Sequence, residues 1–198
     1  LRLYPHQPQI EGKYLFIYEG TKYKKNNLKM EKESLEEQLI KASQEENLEK
    51  VKECIERGAN IHAKDDALYS SAYNGHLEVL KCLIDKGAID VGILLPASYR
   101  GHLEVVRFLL ETYKSIYKKH IDLALIYSVL SDNYDLIKYV IEQGANINAN
   151  DNEALEDASK FHKVGIVLYL LNYGANPLED NKQMLEYLPV NPRKRFLL

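Results

Sequence analysis

Apolar residues recur along the middle of the chain at one fixed set of offsets. Counting from Leu48 they fall at 0, 3, 6 and 7, giving Leu48, Val51, Cys54 and Ile55. The same offsets return Leu77, Leu80, Leu83, Ile84; Leu103, Val106, Leu109, Leu110; Tyr134, Ile137, Val140, Ile141; and Val164, Val167, Leu170, Leu171. This is the spacing of one face of an α-helix, so five helices are expected there. Three residues after the last apolar position, four of the five stretches carry a Gly-Ala pair: 58–59, 87–88, 144–145 and 174–175. A glycine at that point accepts the left-handed conformation that ends a helix and lets the chain turn. Upstream of each helix lies a shorter segment with small residues at inward positions, such as Leu68, Ser71, Ala72 and, equivalently, Leu155, Ala158, Ser159. Each unit therefore reads as helix, tight turn, helix, loop.

The self-similarity is also literal. Gly75-His76-Leu77-Glu78-Val79 recurs as Gly101-His102-Leu103-Glu104-Val105, and Gly-Ala-Asn-Ile occurs at 58–61 and 144–147. Equivalent positions are separated by 29, 26, 31 and 30 residues, near the roughly 33 of ankyrin units and shorter than tetratricopeptide or armadillo units. On these motifs the chain from about Ser34 to Leu188 resembles the ankyrin-repeat family. It departs from the family where a Thr-Pro-Leu-His start of the first helix is usual: here stand Asp66-Ala67-Leu68-Tyr69 and Glu153-Ala154-Leu155-Glu156. The trimmed units look like the expanded ankyrin families of large DNA viruses. An excess of Lys over Arg (20 to 6), abundant Asn and Tyr, and no Trp agree with AT-rich coding.

The expected fold class is an all-α repeat solenoid, a stack of about five ankyrin-type helix-turn-helix units with short hairpin loops, preceded by a small β-hairpin-like N-terminal segment. The expected divisions are an N-terminal extension (1–33), an array (34–188, in units of about 34–63, 64–91, 92–117, 118–149 and 150–188 including a C-terminal cap) and a basic tail (189–198). Ser34-Leu35-Glu36-Glu37 forms a capping box at the start of the first unit. Residues 13–25 read as a hairpin, with Tyr14–Tyr18 and Thr21–Lys25 as strands and Glu19-Gly20 as the turn. Two strands alone are marginal in water, so they pack on the array, pair elsewhere or stay loose. Met30 directly precedes the capped helix, and residues 1–29 read as an upstream extension or part of a larger protein. In Pro177–Leu188 an incomplete unit is expected, with Leu178, Met184, Leu185 and Leu188 covering the fifth and Pro189 and Pro192 ending it.

The third unit is irregular. It has Tyr113-Lys114 in place of Gly-Ala, then Ser115, Ile116, Tyr117, Lys118, Lys119 and His120. The preferred reading is a tolerated surface insertion; the sharper one is a basic, aromatic finger that touches a partner. Pro96 falls inside the first helix of this unit, where only a first-turn position suits it.

Charge divides the chain. Residues 1–33 carry a net +3, 34–188 a net −9 and 189–198 a net +3. The acidic body makes a poor non-specific polyanion binder. The apolar runs, such as 123–127 and 166–171, fall far short of the roughly 18 residues of a membrane span, and no secretory pattern opens the chain. With only Cys54 and Cys82, a disulfide framework is excluded. An intracellular protein, cytoplasmic or nuclear, is the expectation.

No nucleophile with a base, metal-ligand cluster or phosphate-cradling loop stands out, so neither an enzyme nor a cofactor is expected. His76 and His102 share one repeat position, which favours a bracing role in the turn over ligation. Cys54 falls on a core offset, and Asp65-Asp66 and Asn150-Asp151-Asn152 recur at the loop position as turn residues. What remains is surface. The family resemblance implies a concave face built from the fingers and the exposed side of the first helices, where protein partners bind. Carried over by position, the candidate residues are Tyr73, Asn74, Tyr99, Arg100, Leu130, Lys160 and Phe161, with Lys64 and Tyr69 nearby. Gln44, Glu45 and Ser131 complete the equivalent set. Tyr, Phe and Arg often dominate binding energy, which singles out Tyr73, Tyr99 and Arg100. The expected function is a non-catalytic, protein-binding module acting as a monomer, a viral protein engaging a host factor.

Two other functions stay open. An adaptor would hold a target on the array and recruit a ubiquitin ligase through a terminal segment; Leu188-Pro189 with Phe196, Leu197 and Leu198 looks faintly F-box-like. Nucleic-acid binding would use Lys22, Lys24, Lys25, Lys29 and the Arg193-Lys194-Arg195 trio, with strong salt dependence.

Overall fold

The computed structural model describes residues 33–62 and 66–176, together with the backbone of residues 9–10 and 13–14. The chain divides into two compact units, Leu1–Glu33 and Ser34–Leu198. In the first, Gln9–Ile10 (β1) pairs antiparallel with Lys13–Tyr14 (β2), Gln9 opposite Tyr14 and Ile10 opposite Lys13. Tyr14 thus pairs backwards along the chain. The sequence offers the same Glu-Gly dipeptide at 11–12 and at 19–20, and either suits a tight turn. Apart from residues 13–14, the hairpin expected over 13–25 lies outside the described residues, as do Lys64, the cap after Asn176 and the basic tail.

In the second unit, the described residues form five helix-turn-helix pairs: α1 (Leu35–Gln44) with α2 (Leu48–Glu56), α3 (Asp66–Asn74) with α4 (Leu77–Asp85), α5 (Leu94–Tyr99) with α6 (Leu103–Thr112), α8 (Ile121–Ser128) with α9 (Tyr134–Glu142), and α10 (Ala149–Lys160) with α11 (Val164–Asn172). Between α6 and α8 sits one extra helical turn, α7 (Lys114–Tyr117). The capping box is present: the Glu37 amide donates to Ser34 Oγ (3.1 Å) and the Ser34 amide to Glu37 Oε2 (2.9 Å). Pro96 stands in the first turn of α5, where its missing N–H removes no helical bond.

Burial confirms the inward set of the first helices, since Leu68, Ser71, Ala72, Leu155, Ala158 and Ser159 are all buried. In the second helices it amends one offset in two units. At offset 0 Leu48, Leu77 and Leu103 are half-buried against the core, but Tyr134 and Val164 are exposed, and offset 2 is buried in four helices (Val79, Val105, Leu136, Ile166). A stacked helix is covered by its own partner and by neighbouring units, so its apolar face is wider than a one-sided stripe. Offset 0 is the first helical residue, and in α9 and α11 it opens outward. Buried Ser43, Ser71, Ser98 and Ser128 each return their hydroxyl to a carbonyl of their own helix, at 2.7 to 2.8 Å. Such small, self-satisfied residues let first helices approach closely. The first helices are packed against one another more extensively than the second helices are, so the stack bends toward the first-helix side.

Every tight turn contains one residue with positive φ: Glu46 (57°), Gly75 (79°), Gly101 (78°), Asp132 (60°) and His162 (55°). The residue after it reaches back across the unit boundary. His76 Nε2 lies 3.0 Å from the Gln44 carbonyl, and His102 Nε2 2.8 Å from the Tyr73 carbonyl. Asn133 Nδ2 donates to the Gly101 carbonyl (2.8 Å) and Lys163 Nζ to the Leu130 carbonyl (3.0 Å). His76, His102 and Lys163 do one job, satisfying a carbonyl at the end of the preceding first helix, whereas Asn133 reaches the turn carbonyl of Gly101, which also accepts from the Leu103 amide (2.9 Å). The residue in the preceding turn is matched to them. Glu46 faces His76 (Oε2 to Nδ1, 3.5 Å) and Asp132 faces Lys163 (2.7 Å). Where the turn has glycine, the reaching side chain lies on it: a Cβ at Gly75 would meet the His102 ring, and one at Gly101 would meet Ser131 and Asn133.

Two outcomes follow for unfolding. Gly75→Ala should cost about 2 kcal/mol, from the left-handed φ and the displaced imidazole, and His102→Ala in the same chain should relieve part of that cost in urea titrations. Burial is the main cause that lowers the His102 pKa from its ordinary 6.5, so the neutral ring is the form that stabilises the fold. Its contribution is complete above about pH 6.5 and is lost as pH falls toward the folded-state value. His102→Asn, which keeps a donor as Asn133 does, should flatten the urea midpoint between pH 5 and 7; an unchanged slope would contradict this assignment.

Candidate functional site

The inner side of the bend carries the C-terminal ends of the first helices. Tyr73, on α3, is half-buried, and its ring stacks on that of Tyr69 one turn earlier, with centroids 6.0 Å apart and planes at 15°. The Arg100 guanidinium, from the next unit, lies 4.9 Å from the Tyr73 ring centroid. The Tyr73 carbonyl is the one that His102 holds, so backbone, ring and guanidinium are fixed together. Half-buried Tyr99 stands beside them; burial pushes its hydroxyl pKa up, with Tyr73 adding and Arg100 opposing. Near neutral pH Tyr99 is therefore a hydrogen-bonding group, and Arg100 supplies the positive charge.

The other candidates are placed differently. Tyr69 is only 7% exposed, a correction to its expected role as a surface contact: its i, i+4 relation to Tyr73 makes it the ring beneath the patch. Asn74 is half-buried and its Nδ2 donates to the Ser70 carbonyl (2.9 Å). Leu130 is half-buried against the core in the next unit. Lys160 and Phe161 are exposed, Phe161 by 39%, on the fifth unit. Tyr69, Tyr73, Tyr99 and Arg100 thus form one cluster, with Leu130 one unit along and Lys160 and Phe161 two units along.

The insertion is not an aromatic finger. Tyr117 is buried, and its hydroxyl donates to the Asp90 carbonyl (3.1 Å) in the preceding loop. Lys114, Ser115, Lys118 and Lys119 remain exposed. The Asn150–Asn152 run is a left-handed turn, with φ of 49°, 57° and 66°, consistent with its reading as turn residues. Cys54 is buried, and Cys82 is half-buried with its thiol pKa raised by burial.

A different surface escaped the sequence reading. In the second helices of the first four units, four columns are mostly charged: Glu49, Glu78, Glu104, Asp135; Lys52, Lys81, Arg107, Lys138; Glu56, Asp85, Glu111, Glu142; and Arg57 and Lys86 in the last. In α11 these columns hold Gly165, Leu168 and Asn172, with Tyr173 following. Tyr134 meets Tyr169 edge-on at 6.0 Å, and Tyr169 stacks on Tyr173 at 4.6 Å. Tyr173 is 47% exposed and Val164 42%. Column-by-column comparison, rather than apolar spacing, would have revealed this uncharged second helix.

Among the described residues no group of three or more His, Cys, Asp or Glu is placed to hold a metal ion, and no helix is long and apolar enough to cross a membrane. The geometry defines a class: a curved helical repeat array with a concentrated aromatic and cationic patch on its inner side. The family description of ankyrin repeats, in three copies, matches residues 39–122 and 94–181, and the chain belongs to that family. Ankyrin repeats are generally protein–protein interaction modules and generally non-catalytic. No curated protein shows significant similarity to the chain.

The patch can be altered without unfolding the array. Tyr73→Ala should cost about 1 kcal/mol, the loss of a half-buried ring and a partly exposed cation–π contact, because His102 binds the Tyr73 carbonyl and not its side chain. Arg100→Gln should fall within about 0.5 kcal/mol of the parent. Thermal and urea unfolding read both values.

Proposed function

We propose that this protein is a non-catalytic binding module that holds a protein partner on the inner face of its ankyrin array, centred on Tyr73, Tyr99 and Arg100. The observation that carries this reading is the joined set of Tyr69, Tyr73 and Arg100, in which two rings and a guanidinium from adjacent units are held in place before any partner arrives. Such preorganisation reduces the ordering cost of association. Leu130, Lys160 and Phe161 extend the proposed face along the array. The trimmed units and Lys-rich composition support a viral protein engaging a host factor inside the cell.

A second reading makes the basic tail, residues 189–198, a recruiting segment for a ubiquitin ligase, with the array as the target-holding part. One experiment separates them: quantitative capture from host-like cell lysate with the full chain, with a Tyr73→Ala/Tyr99→Ala/Arg100→Glu variant, and with a chain lacking 189–198. Anchor residues of this kind are worth about 1–2 kcal/mol each, so the triple variant should lose its partner by roughly tenfold or more. Ligase components that vanish only with the tail deletion would favour the adaptor. A bound set that neither change alters would overturn the proposed face.

A further inference from the structure

Three arginines fall among the described residues, and two have their carboxylates. Arg57 pairs with Glu53 at 2.9 Å. Arg107 lies 4.5 Å from the Tyr139 ring centroid while Glu104 (3.8 Å) and Glu111 (3.7 Å) engage its nitrogens. Tyr139 itself donates to Glu111 (3.3 Å). The described residues therefore contain one complete arrangement of arginine over tyrosine with carboxylates beside the guanidinium.

Arg100 is the same arrangement without the carboxylate. It lies over Tyr73 at 4.9 Å, is exposed, and makes no ion pair among the described residues. Its helix offers none, because the residues three and four positions earlier are Ala97 and Pro96; Glu104, in the first turn of α6, serves Arg107. The equivalent positions in the flanking units are Asn74 and Ser131, neither charged. The Tyr73 ring takes one side of the guanidinium, and the N–H donors turned away from it are the part that fits a carboxylate in two parallel hydrogen bonds. The flanking cationic candidate, His102, is held toward its neutral form by burial.

We propose that Arg100 receives the carboxylate of an Asp or Glu side chain on the protein partner, with an adjacent apolar or aromatic residue of the partner seated beside Tyr73 and Tyr99. One guanidinium between neutral neighbours balances a single negative charge, which favours a carboxylate over a doubly charged phosphate. The body of the array is acidic, so the pairing is a local one: at physiological salt, fields are screened beyond about 8 Å. This inference rests on the inner-face reading and adds the chemistry of what that face selects.

The test is selection of a random peptide display library on the immobilised full chain, followed by titration of the enriched peptides against the chain and against Arg100→Gln, Arg100→Lys and Tyr73→Ala. Enriched peptides should carry an Asp or Glu next to an apolar residue. Exchanging that acid for its amide, or Arg100 for Gln, should each weaken binding by about tenfold, and the two together should lose little more, as expected of one shared contact. Arg100→Lys should recover only part, since a point charge lacks the fork. Peptides that lack an acid, bind Arg100→Gln as well as the parent and are lost with Tyr73→Ala would overturn this inference and leave the inner-face reading standing. Binding indifferent to all three variants, or no enrichment at all, would count against both.

Discussion

A unit of two short helices and about thirty residues has too little interior to bury its own apolar face, so each one is completed only by its neighbour. The contact that fixes how neighbours meet is the reach from the start of each second helix to a carbonyl of the preceding unit. His76, His102 and Lys163 take the one at the end of its first helix, and Asn133 takes the turn carbonyl of Gly101. The turn residue they reach over is a matched acid or a glycine. Each boundary is therefore specified by a pair of residues about thirty apart, and those pairs vary together along the chain.

The patch on the inner face is a by-product of that registration. Tyr73 contributes its carbonyl to His102 and its ring to Arg100, so the same residue that locks the second and third units also positions the exposed guanidinium. Stability and recognition share a backbone position but separate at the side chain. The outer face follows a different logic: Arg107 with Tyr139, and Lys81 with the Phe108 ring at 5.6 Å, link second helices through cations satisfied within the protein. The contrast between the satisfied Arg107 and the open Arg100 distinguishes a structural cation from one available to a partner.

Much of the fold was legible because it is repetitive. A 3.6-residue period, small inward residues and glycine punctuation are local signals, and five copies average out the exceptions. The errors came where neighbours matter. Offset 0 looked like core and opened outward at Tyr134 and Val164, while offset 2 was enclosed by adjoining units. Tyr117 reads from sequence as part of a surface insertion, yet the preceding loop offers the Asp90 carbonyl to its hydroxyl and buries it.

By itself the sequence determined the helical units and the ankyrin character of the array, since both depend on spacing within a few turns of chain. It also put Tyr73 and Tyr99 at one repeat position and Arg100 at the next. Only the tertiary structure decided that Tyr69 lies beneath Tyr73, that Arg100 stacks on a ring 27 positions earlier in the sequence, and that no described carboxylate meets it. Those outcomes depend on how one unit is rotated and shifted against the next, and that relation is set by packing across the boundary rather than by any period along the chain.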